Sequence, residues 1–381
     1  MNLEPVTADD PRDILRALRE TLSGAGPALG LGLVGGLSGE VREGTAAVVT
    51  TSGSTGMPKS VVLSRDALIA SARATADRIG DGAWLLALPA SYVAGLQVLV
   101  RSIVSDREPA ILGGSFTPQA FADAALMMSS SAAVPTFTSL VPAQLSKLLD
   151  AAEHDTAVLT ALRSFERILV GGQALPAATL ERAEAAGARI ARTYGSTETS
   201  GGCVYDGVPL RGVSMRIQGS EVQLAGPTLA DGYLGAPELT DSVFVTDADG
   251  TRWYRTGDAG LIEGDRLRVR GRIDNVIVSG GVNISLDRVE QIVRAVPGLA
   301  GAVVVGVPDA RWGEASVIVA VRGEALRRSE SVQLEEARAA VAAEVGSHAR
   351  PSRMVLVDDL ALLPSGKPDR EAIGRAVAAL H

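Results

Sequence analysis

Residues 50–59 (TTSGSTGMPK) concentrate more anion-binding chemistry than any other stretch of the chain. Ser52, Ser54 and Thr55 supply hydroxyl donors, Gly53 and Gly56 let the backbone approach a ligand closely, and Lys59 adds a point charge. That set suits a polyphosphate. It is not the G-x-x-x-x-G-K-[ST] loop, because Met57 and Pro58 separate Gly56 from Lys59. A second group, residues 194–198 (YGSTE), offers the Tyr194 ring for stacking a base, the Thr197 hydroxyl for a phosphate and the Glu198 carboxylate as a hard oxygen ligand for Mg²⁺. In residues 253–258 (WYRTGD), Asp258 on a tight loop can accept both hydroxyls of a ribose. Residues 271–281 (GRIDNVIVSGG) and 363–367 (LPSGK) complete the set. Taken singly, each also reads as a surface turn, a hairpin turn or, at Lys367, a solvated cation.

Lysine usage sharpens this reading. Of 36 basic residues only Lys59, Lys147 and Lys367 are lysine, and the other 33 are arginine. A lysine kept in such a chain is a candidate for work that needs a compact ammonium rather than a planar fork. Lys147 lies on an ordinary amphipathic stretch and reads as a solvated helix cation.

Composition excludes several classes. At 381 residues the chain exceeds the size at which single cores stop growing, so at least two domains are expected. An apolar content of 46% supports a large core, and 21% charged residues are too few for disorder. The net charge of −8, without a basic stripe, argues against a nucleic-acid partner. The single cysteine, Cys203, fits a reducing cytoplasm and reads as a small packed residue, and the N-terminus lacks signal-peptide features. His154, His348 and His381 show no metal spacing. Residues 83–100 are uncharged, but Pro89, Ser91 and Gln97 interrupt them, which predicts a strand over 83–88 and a helix beginning near Val93 rather than a membrane span.

The elements that must position these groups follow from the pattern. Strands are expected at 46–51, 167–170 and 189–193, with helices from the Ser64 cap to Gly80 and over 175–186. Alternation of this kind through the first two-thirds indicates an α/β sheet with its ligand site at strand C-termini. Around 260–275 the chain becomes charged and short of core residues, placing a boundary there. The expected domains are 1–273, carrying the nucleotide site, and 274–381, a small α+β unit. In the latter, strands fall at 302–307, 316–321 and 354–357 and helices near 286–295, 332–346 and 369–380.

In this order the five motifs resemble the adenylate-forming superfamily of acyl-CoA synthetases, peptide-synthetase adenylation domains and luciferases, from about residue 46 onward. Residues 88–100 (LPASYVAGLQVLV) and 201–209 (GGCVYDGVP) look like the o-succinylbenzoate–CoA ligases of menaquinone biosynthesis. The resemblance implies a large α/β domain followed by a small mobile α+β domain, and an enzyme that joins a carboxylic acid to CoA at the expense of ATP. It implies that Thr51 to Lys59 cradle the β- and γ-phosphates, that Gly171, Gly172 and Tyr194 flank adenine, that Thr197 touches the α-phosphate and that Glu198 holds Mg²⁺. Asp258 and Arg272 would bind the ribose, Asp274 would be the hinge, and Lys367 would bridge the substrate carboxylate and α-phosphate. Ser279, Gly280 and Gly281 would guide CoA. Ser91, Tyr92, Thr199, Ser200 and Gly201 are candidates to line the acyl pocket.

Three departures from the family pattern stand out. Ser91-Tyr92 replaces the histidine many members carry after the Leu-Pro pair. Leu286 and Arg288 stand where proline and glutamate are usual, with only Glu290 matching. The phosphate loop arrives by residue 51, so most of the usual N-terminal subdomain is expected to be absent. Alternatives are an acyl- or aryl-CoA synthetase of other specificity, a stand-alone adenylation enzyme feeding a carrier, and a silent nucleotide-binding relative. The last would be expected to have lost Lys367, Glu198 or Asp258. Expected partners are the acid, ATP and CoA, with a homodimer as a candidate assembly and no membrane span.

Overall fold

A computed structural model describes residues 1–6, 10–32, 39–51, 58–131, 134–322, 329–363 and 366–380. Ser52, Gly53, Ser54, Thr55 and Gly56 of the expected phosphate loop lie outside the described residues, as does His381.

The uncharged run before that loop, with Ala46–Val49 at its centre, forms the strand Thr45–Thr51, buried almost throughout. It pairs in parallel with Ala28–Leu31 and antiparallel with Lys59–Ser64. Ser64 then caps the helix Arg65–Ile79 by accepting from the Ala67 N–H at 3.1 Å. This sheet runs in the order Gly232–Tyr233, Lys59–Ser64, Thr45–Thr51, Ala28–Leu31, Asn2–Pro5, Gly39–Glu40.

A second sheet carries the helix-connected parallel strands: Ala110–Ile111, Ala83–Leu86, Thr136–Leu140, Arg167–Val170 and Ile190–Ser196. Gly201–Tyr205 and Val208–Pro209 extend it antiparallel. Phe121, Phe137 and Phe165 are fully buried around it. Residues 83–100 form a strand, a loop and the start of the helix Val93–Val104, as their interruptions predict, and no described helix is long and apolar enough to cross a membrane.

Three expectations need correction. The strand at 189–193 runs on through Ser196, because Gly201–Tyr205 supplies it with an antiparallel partner, so Tyr194 sits within a strand rather than after one. Asp258 lies inside the twelve-residue strand Arg252–Glu263, not on a tight loop. The α/β alternation also stops near residue 200. Residues 214–272 build an antiparallel sheet from Ser214–Gln218, Glu221–Ala225, Arg252–Glu263, Phe244–Thr246 and Arg266–Arg272. The charged texture at 263–272 falls on a solvated strand, Arg266–Arg272, whose side chains are mostly exposed or half-buried.

Residues 276–357 form a separate sheet in the order Val282–Ser285, Val276–Ser279, Gly313–Val321, Val303–Asp309, with Arg353–Val357 parallel to Gly313–Val321. Helices Leu286–Arg294 and Glu330–Glu344 close one core, and Arg370–Ala378 helps close a second on the opposite face.

Candidate active site

The two strands flanking the expected phosphate loop bring Thr51 and Lys59 opposite each other in register. The Thr51 hydroxyl donates to the Lys59 carbonyl at 3.4 Å, closing the neck of the hairpin. The Lys59 ammonium lies 5.8 Å from the centroid of the Tyr233 ring, within cation–π range. Tyr233 sits on the edge strand that pairs with Lys59–Ser64, and its phenol donates to Glu198 Oε1 at 2.9 Å. Burial, with Glu198 beside it, pushes the Tyr233 hydroxyl far above the ordinary tyrosine range.

Glu198 belongs to a short turn, Thr197–Thr199, that follows the Ile190–Ser196 strand. Its backbone carbonyl accepts from the Ala230 N–H at 2.8 Å. Thr197 beside it is buried. Thr199 is fully buried, its hydroxyl committed to Ser196 and Gly201, while Ser200 turns the chain at φ 53°.

On the antiparallel sheet, Asp258 accepts from the Tyr194 hydroxyl at 2.6 Å and lies 3.5 Å from Arg272 Nη1. Burial holds the Asp258 carboxyl above its usual range, with Tyr194 and Arg272 pulling it back. Burial likewise raises Tyr194, with the Asp258 charge adding to it. Arg272 grips Asp274 with two bonds of 2.9 Å, which holds Asp274 below the ordinary carboxylate range. Gly257, at φ 70°, is required here: a Cβ would stand 2.8 Å from the Arg272 guanidinium.

From the C-terminal sheet's side comes Lys367. Its loop is closed by Leu363 N–H donating to the Lys367 carbonyl at 2.8 Å and by a left-handed Gly366 at φ 80°. The Lys367 stem reaches the glycine pair after the strand Arg167–Val170, so that a Cβ on Gly172 would lie 3.3 Å from its Cε. Lys367 stays solvent-exposed as a residue, yet the crowding of its ammonium depresses its pKa, while Glu198 and Asp258 pull it upward. Gly171 is tight as well, its absent Cβ only 2.2 Å from Thr193 Oγ1.

The structure thus brings Lys59, Gly171, Gly172, Tyr194, Glu198, Asp258, Arg272 and Lys367 near one another, through Tyr233 between Lys59 and Glu198, through the Tyr194–Asp258–Arg272 contacts and through the Lys367 stem beside Gly172. Gly280 and Gly281, with φ of 57° and 82°, make a hairpin turn at the far end of the Val276–Ser279 strand, against Trp312. Ser91 and Tyr92 are half-buried at the start of the Val93–Val104 helix. Cys203 is fully buried and its thiol is pushed up to about 12, which suits packing rather than nucleophilic work. Lys147 is exposed on the helix Pro142–Ala152.

One residue was missed by sequence reasoning. Arg101 is 5% exposed, stacks 4.8 Å from the Trp84 ring centroid and, among the described residues, has the Tyr205 hydroxyl, at 3.4 Å, as its polar contact. Its Nε has no partner, and burial depresses its pKa without any carboxylate facing it among the described residues. One turn earlier on the same helix, the buried Gln97 leaves Oε1 unsatisfied, and Ser200 Oγ is also orphaned. Gln97 abuts Gly201, where a Cβ would lie 3.2 Å from its Cγ. The available signal was an arginine inside an otherwise apolar helix.

Comparison with known proteins gives a consistent picture. The model described as AMP-binding enzyme matches residues 37–260, and that of the AMP-binding enzyme C-terminal domain matches 288–367. A Mycobacterium tuberculosis protein described as a probable 2-succinylbenzoate–CoA ligase is 38% identical over 380 residues, spanning 96% of this chain and 95% of its own. The 2-succinylbenzoate–CoA ligase of Enterococcus faecalis is 29% identical over 353 residues, spanning 85% of this chain and 68% of its own. The structure of o-succinylbenzoate CoA synthetase (MenE) from Bacillus subtilis in complex with AMP superposes with a TM-score of 0.71 at 25% identity, covering 86% of this chain and 68% of that one.

Proposed function

Because this chain belongs to the AMP-binding enzyme family, we propose that it is an ATP-dependent acid–CoA ligase acting on o-succinylbenzoate in the cytoplasm, where both co-substrates are found. The observation that carries this reading is the arrival of Lys367 beside Gly172, with the Glu198 and Asp258 charges acting on the same ammonium.

In the first half-reaction a carboxylate oxygen of the acid attacks the α-phosphorus, the bond to the β-phosphate bridge breaks, and pyrophosphate leaves with that electron pair. Like charges converge in that step. The compact ammonium of Lys367 would sit between the acid carboxylate and the α-phosphate, where fixed positive charge lowers the barrier most. Thr51 and Lys59 take the β- and γ-phosphates together with the loop between them. Tyr194, Gly171 and Gly172 bound the adenine, Asp258 and Arg272 the ribose, and Thr197 the α-phosphate.

No three His, Cys, Asp or Glu side chains gather into a metal cage among the described residues. A single carboxylate, Glu198, fits Mg²⁺ that arrives with nucleotide, since that ion uses one or two carboxylates and completes its shell with phosphate oxygens and water. When bound, the ion offsets charge on the phosphoryl oxygens. In the second half-reaction the CoA thiolate attacks the acyl carbonyl and AMP leaves. Asp274 is the proposed hinge, about which residues 274–381 withdraw Lys367 from 1–273 and bring the Ser279–Gly281 turn toward the acyl-adenylate.

The acid's second carboxylate finds its counter-charge in Arg101. A buried guanidinium with an unsatisfied Nε is costly, and a ligand carboxylate would supply what the protein does not. Gln97, one turn before Arg101, abuts Gly201, and Ser91 and Tyr92 precede the same helix.

The test is pyrophosphate exchange and CoA-thioester formation over a panel of acids. o-Succinylbenzoate should give thioester, and Arg101→Met should erode its advantage over benzoate. If a fatty or aryl monocarboxylate is turned over while o-succinylbenzoate is not, the substrate assignment fails and an acyl- or aryl-CoA synthetase of other specificity takes its place.

A further inference from the structure

The geometry points to Tyr233 as a positioning residue for the nucleotide's metal: its hydroxyl fixes the Glu198 carboxylate while its ring supports Lys59. The inference rests on the proposed reading of Glu198 as a Mg²⁺ ligand, and neither the five motifs nor that reading assigns Tyr233 a role.

Three observations converge on this side chain. The phenol donates to Glu198 Oε1 at 2.9 Å, which leaves Oε2 for a ligand. The ring faces the Lys59 ammonium at 5.8 Å, so one aromatic touches both the anionic and the cationic sides of the phosphate region. The ring itself is held firmly: it is 7% exposed and packs 6.0 Å from Phe244, which in turn lies 5.4 Å from Tyr254.

The backbone beneath is braced to match. The Tyr233 N–H donates to Thr240 Oγ1 at 2.9 Å. Arg252 donates to the carbonyls of Ala230 and Asp231 at 2.7 and 2.9 Å, and the Ala230 N–H holds the Glu198 carbonyl at 2.8 Å. Glu198 is therefore fastened twice to one rigid segment, once by its backbone and once by its carboxylate. A metal ligand oriented by a hydrogen bond from a fixed donor loses affinity when that donor is removed, typically by tenfold or more.

The test uses the full-length chain and calorimetric titration with ATP, without acid so that no turnover occurs. Each variant is titrated with Mg²⁺ in excess and again in EDTA, and the ratio of the two affinities measures the metal's contribution. Tyr233→Phe keeps the ring, its packing and the Lys59 contact. It should lower that ratio about tenfold and leave the EDTA affinity and the melting temperature where they are. Glu198→Gln is the control for the underlying reading. A ratio reduced by Glu198→Gln but untouched by Tyr233→Phe overturns the role of Tyr233 and keeps Glu198. A ratio unchanged by both variants overturns the Glu198 reading and the inference with it. Parallel loss of both affinities with a lower melting temperature assigns Tyr233 to packing alone and also overturns the proposal.

Discussion

Lys367 differs from the chain's other cations in what surrounds it. Most exposed arginines here pair with a neighbouring carboxylate, as Arg182 does with Asp150 and Glu153, and such pairs contribute little. Lys367 instead meets protein crowding that lowers its pKa and, more distantly, the Glu198 and Asp258 charges that raise it, with the first effect dominant. A lysine whose folded pKa is depressed holds its proton less tightly folded than unfolded, so its catalytically useful charge is lost at a lower pH than for a free lysine. The alkaline limb of kcat/KM for pyrophosphate exchange reports the free enzyme's ionisations. That limb should begin below the ordinary lysine range. Lys367→Arg should remove the limb and lower the plateau, because guanidinium does not titrate there and does not fit a compact site. Lys147→Arg should leave the whole profile in place. An alkaline limb that persists unchanged in Lys367→Arg would assign it to another group.

At the scale of elements, the glycine pair after Arg167–Val170 shows how a strand end becomes chemistry. Gly172 is left-handed at φ 80°, and a side chain there would press its Cβ to 3.3 Å from the Lys367 Cε. Gly172→Ala should cost about 1–2 kcal/mol of stability from the left-handed backbone. It should also displace Lys367, so that adenylation falls more than thioester formation from supplied acyl-adenylate. Equal loss of both half-reactions would place the effect in general distortion. The strand before this turn was legible in the sequence from its apolar Ile168–Val170, as was Thr45–Thr51 from Ala46–Val49, which is buried on both faces. Asp258 was not legible as a strand residue. Arg-Thr-Gly-Asp carries turn composition, and only the pairing of Arg252–Glu263 with strands on both sides holds it extended. Arg101 was passed over for the converse reason: an uncharged stretch draws attention to its apolar residues, and the one local sign that this arginine turns inward is its place inside an otherwise apolar helix.

At the scale of the molecule, the question is what holds Lys367 beside Gly172, since its loop meets that glycine through non-covalent contacts. Asp287, at the start of the helix Leu286–Arg294, accepts from the Arg272 backbone N–H and from Asn275 Nδ2, both at 2.7 Å. These donors stand on either side of the proposed hinge at Asp274. Glu290, one turn further along, is 4% exposed and binds Arg370 at 2.7 Å, and Arg370 lies three residues beyond Lys367. A continuous polar chain thus joins the Arg266–Arg272 strand, the proposed hinge, the helix and the loop that carries Lys367. Rotation about residue 274 must break the Arg272–Asp287 bond, because its two ends fall on opposite sides of the hinge. The glycine at 271 allows the close approach, since a Cβ there would stand 2.4 Å from that of Asp287. A hydrogen bond to a charged acceptor contributes about 1.5–3 kcal/mol, and each 1.36 kcal/mol is roughly tenfold in a rate or population. Asp287→Ala should therefore lower adenylation by about tenfold or more, while thioester formation from supplied acyl-adenylate is spared or quickened, because the arrangement that releases Lys367 is no longer opposed. Single-turnover measurement of each half-reaction checks this. If adenylation survives intact, the lysine is held by its own contacts beside Gly172 and Asp287 serves only the fold of its own helix.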